Sequence, residues 1–260
     1  MADAGSFPSQ EAGSSIPRII SLPKELAHQV RDVLRLVVGE HLLLLDNSGD
    51  EVLAAVVESG KEGVFVQLLE RHKSKSESPI RIVLCQGLLK SARFEWILEK
   101  GTESGVAVFA PILCRRSMAG LEDAGPAKIQ RWRRIIQEAA EQCGRSRLPE
   151  LLPIRPLMHA LKDIPPGALA LMPWEEEHSM SLREALIAAR ESLQNRQSRG
   201  LPQAAMTVVL FIGPEGGLMA EEVALAQRHG VRIVSLGPRT LRAETAALVT
   251  VANVMYELER

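Results

Sequence analysis

Two glycine-bearing loops near the end of the chain hold the residues best suited to chemistry. Gly213-Pro214-Glu215-Gly216-Gly217 closes one apolar run, and Leu236-Gly237-Pro238-Arg239-Thr240-Leu241-Arg242 closes a second. Glycines let a planar ligand approach the main chain, whose free N–H and C=O groups can read its edge. The first loop is not a Walker A loop, because no Gly-Lys-Ser/Thr follows. Neither loop is GxGxxG, and no acidic residue ends a following strand as in a dinucleotide site. The pattern therefore favours a ligand bound by backbone groups rather than through phosphates. The plainer alternative is a pair of tight strand-to-helix turns. Arg239, Arg242, Glu244 and Thr245 crowd the start of the last helix. The two arginines oppose the helix dipole there, whereas Glu244 agrees with it. Residues set against local preference point to function, and the alternative is a solvated salt-bridge cluster.

Those loops need rigid elements to hold them. From Ile80 onward apolar runs alternate with helical patterns. The runs predict strands at 80–85, 106–111, 168–172, 207–212 and 231–236. Helices are expected at 93–100, 126–143, from Ser181 through Leu193, at 220–229 and from Ala243 to the end. Ser181 and Glu184 form a capping box, Gly144 caps the long helix, and Gln194–Gln203 reads as a polar loop. Such alternation predicts a mostly parallel sheet with helices on both faces, whose ligands lie outside the carboxyl ends of the strands. Residues 16–75 differ: an amphipathic stretch at Glu25–Leu36 is followed by strands around the turns 46–50 and 59–63, a β-meander typical of a small barrel. The polar stretch His72–Pro79 reads as an inter-domain linker, and residues 1–15 read as a disordered tail.

Composition narrows the classes. The 260 residues carry 31 Lys and Arg against 32 Asp and Glu, a net charge of −1. Any nucleic-acid contact must therefore come from a local patch. Basic residues gather at Lys90, Arg93 and Lys100, at Arg115-Arg116, and at Arg131, Arg133, Arg134, Arg145 and Arg147. Cys85, Cys114 and Cys143 are far apart and odd in number, which fits a reducing cytoplasm rather than disulfides or zinc. The histidines show no metal-ligand spacing, and Glu175-Glu176-Glu177 reads as a solvated loop, since consecutive carboxylates rarely converge on one ion. No signal peptide and no membrane-length apolar run is evident. The helix stripes that include Trp96, Trp132 and Met255 are expected in the core.

The sequence resembles the RsmE family of 16S rRNA uracil-N3 methyltransferases, within the SPOUT superfamily. The likeness rests on VLRLVVGE (33–40), QGLLKSARFEWILEKGTESGV (86–106), RWRRIIQEAAEQCGR (131–145), IGPEGG (212–217) and SLGPRTLRAETA (235–246). The resemblance implies an α/β SPOUT domain over 80–260 ending in a trefoil knot, which ordinary topology rules would exclude. It also implies a PUA-like RNA-binding β-barrel over 16–75, a homodimer joined through the knotted domain, S-adenosylmethionine as cofactor and no metal. The expected substrate is 16S rRNA or the small ribosomal subunit. The cofactor site carried over from the family comprises Leu171, Met172, Gly213, Pro214, Glu215, Gly216, Gly217, Leu236, Gly237, Leu241, Arg242, Thr245 and Ala246. Arg242 and Arg116 are expected to favour the uracil imide anion. Glu103 and Glu244 are each either a base or the partner of an arginine. RNA contacts are expected from Arg18, Arg31, Arg35, Lys90, Arg115, Arg116 and Arg145. The rival readings are an RNA-binding protein that keeps the fold without catalysis, and a nucleotide-dependent oxidoreductase weakened by the missing GxGxxG.

Overall fold

The computed structural model describes residues 18–117, 125–198 and 206–259. The expected N-terminal tail lies outside them, as does the second half of the predicted polar loop 194–203; its first half, up to Ser198, instead continues a helix. The chain divides into two compact units: residues up to Glu77 together with Gly144–Arg147, and Ser78–Cys143 together with Leu148–Arg260.

The first unit is built on an antiparallel sheet of β1 (Ile19–Ser21), β2 (His41–Leu45), β3 (Asp50–Gly60) and β4 (Gly63–Lys73), in the order β1-β4-β3-β2. Alternation along β3 and β4 drives one face inward: Val52, Ala54, Val56, Val64 and Val66 are buried together with Leu22 and Leu44. The β2–β3 turn is held by Asp46, which accepts from the Ser48 amide at 3.0 Å. The expected helix at 25–36 is shorter than its apolar pattern. Helix α1 (Lys24–His28) widens into a π turn over Gln29–Val33, so that the Leu34 amide donates to the Gln29 carbonyl. This extra residue per turn rotates the stripe: Ala27 and Val30 are buried, while Val33, Leu34 and Val37 are exposed. His72 and Lys73, expected in the linker, close β4.

The second unit is a parallel sheet. Its strands are β5 (Ile80–Gly87), β6 (Val106–Leu113), β7 (Glu150–Leu151), β9 (Leu169–Pro173), β10 (Met206–Ile212) and β11 (Arg232–Val234), in the order β11-β9-β10-β5-β6-β7, with β8 (Arg155–Pro156) pairing the far end of β6. Every pairing is parallel, so all the carboxyl ends lie along one edge. β10 is an apolar run because it is an interior strand, covered on both faces. On one face pack α2 (Ser91–Glu103), α3 (Pro126–Cys143), α5 (Leu182–Ser198) and α7 (Ala243–Leu258), through Phe94, Trp132, Leu186 and Val251. On the other pack α4 (Leu157–Lys162) and α6 (Ala220–Arg228), through Leu161, Val223 and Ala226. The short elements β7, β8 and α4 had no counterpart in the sequence pattern. Trp132 is buried as expected, but Trp96 is 42% exposed.

Candidate functional site at the carboxyl edge of the sheet

β10 enters between β5 and β9, two strands far apart in sequence. The loops after β5, β6, β9, β10 and β11 consequently converge on one edge, where a reversal of strand order opens a ligand crevice. The Gly213–Gly217 loop is seated against its neighbours so closely that side chains are excluded. A Cβ on Gly216 would lie 3.0 Å from the Arg116 Cβ and 3.1 Å from its carbonyl. One on Gly217 would lie 2.8 Å from the Glu175 carboxylate, and one on Gly87 only 2.5 Å from the Pro214 nitrogen. The loop closes on itself through a Gly217 N–H to Pro214 carbonyl bond of 2.9 Å, with Gly217 at φ +73°.

Side chains from three other segments fix this loop. Gln86, buried at the end of β5, donates to the Gly213 carbonyl at 3.3 Å and the Gly87 carbonyl at 2.9 Å. Arg116, exposed beyond β6, donates to the Gly216 carbonyl at 3.1 Å. Its neighbour Arg115 is exposed, but its amide is anchored at 2.8 Å by Glu222, a buried carboxylate in the first turn of α6 that also accepts from the Met219 amide at 2.9 Å. Arg93, in the first turn of α2, places one guanidinium nitrogen 2.7 Å from Glu215 and another 3.6 Å from Glu244. Glu244 sits in the first turn of α7, and its second oxygen, Oε2, is buried with no partner among the described residues. A buried acceptor left unpaired is costly unless something satisfies it.

Of the expected site residues, Gly213, Pro214, Glu215, Gly216, Gly217, Arg116 and Glu244 are joined by these contacts. Leu236, Gly237 and Leu241 follow β11 at the same edge, and Arg242 caps α7 through its backbone, accepting from the Ala246 amide at 2.8 Å. Thr245 is half-buried in the same turn. Leu171 and Met172 are fully buried, in the cores on opposite faces of the sheet, so only their backbone or the following Pro173-Trp174 can serve a ligand.

The structure sets two of the expected residues apart from these contacts. Glu103 is the last residue of α2, ten residues from Arg93, and so lies about 15 Å along the helix axis from it. It pairs there with Lys100, whose ammonium it and Glu99 push up to about 12. Arg145 is only 8% exposed and its guanidinium is engaged by Glu77 at 3.0 Å, which removes it from an RNA-facing set. In the first unit Arg18 and Arg35 are exposed, while Arg31 is paired with Asp32 at 2.7 Å and with the Gly60 carbonyl at 2.9 Å. Lys90 is exposed at the cap of α2. Glu177 is a turn-former rather than a merely solvated charge, accepting from the Ser179 and Met180 amides. The residues missed as site residues are Gln86, Arg93 and Glu222. Arg93 left a signal, a cation without an acidic neighbour in the first turn of its helix; Gln86 and Glu222 left none beyond polarity at an apolar position.

A parallel sheet with a glycine-loop crevice at its carboxyl edge fits a family of known enzymes. Residues 76–255 match the model of the RNA methyltransferase domain family, and the chain belongs to that family. The chain is similar to proteins called ribosomal RNA small subunit methyltransferase E. The one from Bacillus subtilis is 31% identical over 92% of this chain and 90% of its own length, and that from Synechocystis is 34% identical over 94% and 75%. Among solved structures, the methyltransferase E of Neisseria gonorrhoeae bound to S-adenosyl methionine superimposes with a TM-score of 0.79, at 26% identity and 94% coverage of both chains. A putative methyltransferase from Legionella pneumophila in complex with the same cofactor gives 0.75, at 30% identity and 95% coverage of both.

Proposed function

We propose that this protein transfers a methyl group from S-adenosylmethionine to N3 of a uridine in the 16S rRNA of the small ribosomal subunit. The observation that carries the reading is the convergence of the Gly213–Gly217 loop, Arg116 and Glu244 at one edge of the sheet, in a chain similar over 92% of its length to a ribosomal RNA small subunit methyltransferase E. The residues present fit the cofactor. Backbone groups of Gly213–Gly217, of Leu236–Leu241 and of the β9 end would hold its adenine and ribose, and the unpaired Glu244 oxygen would accept one of its hydroxyl or amino donors. When bound, S-adenosylmethionine supplies a methyl group already activated on a sulfonium.

The protein's task is then placement and charge. The target base must be turned out of its RNA context to reach the edge. N3 gives up its proton to water, and the Arg116 and Arg242 guanidinium groups favour the resulting imide anion. Of the two roles open to Glu244, its pairing with Arg93 favours the structural one over that of a base. Exposed Arg18, Arg35, Lys90 and Arg115 supply the phosphate contacts. The same reading takes the first unit as a PUA-like RNA holder, the second as a SPOUT domain closed by a trefoil knot, and the working enzyme as a cytoplasmic homodimer.

N3 methylation blocks the Watson–Crick edge, so reverse transcriptase stops at the modified uridine. Ribosomal RNA from cells lacking the gene is expected to lose one such stop and regain it with the purified protein and cofactor. A stop that persists without the gene would overturn the assignment, and purified protein that binds no S-adenosylmethionine in calorimetry would leave the RNA-binding alternative.

A further inference from the structure

Arg93 occupies the third position of α2, whose first turn contains no acidic residue and whose cap makes no side-chain hydrogen bond. A cation there opposes the helix dipole. The side chain is 42% exposed, and exposed ion pairs contribute little stability. Neither helix formation nor general stability therefore accounts for it. What distinguishes Arg93 is its reach: one nitrogen meets Glu215 in the first glycine loop at 2.7 Å, and another lies 3.6 Å from Glu244 at the head of α7. Both carboxylates are better covered than the arginine, at 21% and 13% exposure. With one Glu244 oxygen facing Arg93, the other, Oε2, is left buried and unpaired.

We infer that Arg93 is a positioning residue for the cofactor site: it sets the spacing between the Gly213–Gly217 loop and the start of α7, and turns Glu244 so that Oε2 faces the bound ligand. The planar fork suits this, because it can address two carboxylates from different segments in a fixed geometry. This inference rests on the methyltransferase reading above and deepens it.

The test is calorimetry of S-adenosylmethionine binding to the full chain, with wild type, Arg93→Met, Arg93→Lys, Glu244→Gln and the Arg93→Met/Glu244→Gln pair. Arg93→Met is expected to weaken binding at least tenfold. Arg93→Lys, which keeps the charge without the fork, should recover part of that loss. The double variant should bind no more than about twice as weakly as the worse single variant, because contacts acting through one another are not additive. RNA affinity, read by filter binding, should stay within twofold, which a general loosening of the fold would not allow. Should Arg93→Met fail to fold, Arg93→Gln, polar and uncharged, takes its place. Unchanged cofactor binding in a folded Arg93 variant, or fully multiplicative losses in the double variant, would overturn the inference. Wild type that fails to bind the cofactor would instead overturn the methyltransferase reading itself.

Discussion

The two glycine loops at the carboxyl edge need their glycines for different reasons. In the first, the protein's own atoms leave no room: positions 213, 216 and 217 would each bring a Cβ within 3.0 Å of a neighbouring atom, and so would Gly87 beneath them. In the second, Gly237 has nothing within 4 Å of its Cβ position, and only its backbone, at φ +108°, calls for glycine. A crowded loop is held in place by neighbours and is preorganised, so a ligand need not order it on binding. An open loop with a left-handed glycine, held locally by the Gly237 N–H donating to the Ser235 hydroxyl at 3.3 Å, has space to adapt. The first loop thus reads as the fixed wall of the site and the second as its adjustable wall.

The largest effect is expected beneath the crowded loop. Gly87→Ala would press a methyl group 2.5 Å from the Pro214 nitrogen and 2.8 Å from the Gly213 carbonyl carbon, both backbone atoms between β5 and β10 that cannot turn aside. Overpacking of this kind costs about 3 kcal/mol, to be read in urea unfolding. A loss under about 1 kcal/mol would show that the strand end yields, and that the first loop is no more fixed than the second. Gly217→Ala comes next, at about 2 kcal/mol. It forces an alanine to φ +73°, but its close neighbour is the end of the flexible Glu175 side chain. Adding Glu175→Ala should relieve the crowding part and leave the dihedral part; no relief would assign the whole cost to the backbone.

Much of this was legible from residues and some was not, for physical reasons. The continuous apolar runs, the helix ending at Gly144 and the Ser181–Glu184 capping box leave local signals, and the structure reproduces them: Ser181 and Glu184 exchange bonds of 2.8 and 3.2 Å. Strand order leaves none, because a buried run at 206–212 reads alike in the middle of a sheet and near its edge. The two-residue strands β7 and β8 are too short for any period. Glu103 sits apart from the loops because the length of α2 places it at the end opposite Arg93. Arg93 was visible only as part of a charged face, since its two partners come from elements that the sheet alone brings together.

The dryness of the floor under the crowded loop has its own signature. Cys85 lies in β5, two residues before Gly87, and burial pushes its thiol from 9.0 up to about 12. Cys114, just before Arg115, is raised by burial and by the Glu222 carboxylate. The folded state therefore keeps protons that the unfolded chain gives up, and this stability, full below pH 9, is lost as pH rises toward 12. At pH 10 the Cys85 contribution should be lower than at pH 8 by roughly 1 kcal/mol. The urea stability of Cys85→Ala should accordingly fall less than that of wild type between those two pH values, and parallel declines would mean that water reaches the thiol.

The smallest effect is expected at the open loop. Gly237→Ala meets no atom and carries only the dihedral cost, about 1 kcal/mol where the exposed segment can relax. Its cofactor affinity should fall by less than that of Gly217→Ala, because a loop that adapts can recover its contacts when the ligand arrives. If Gly237→Ala instead lost cofactor binding outright while remaining folded, the second loop would be the rigid wall in the bound state, and the openness around Gly237 would mark space that the ligand itself fills.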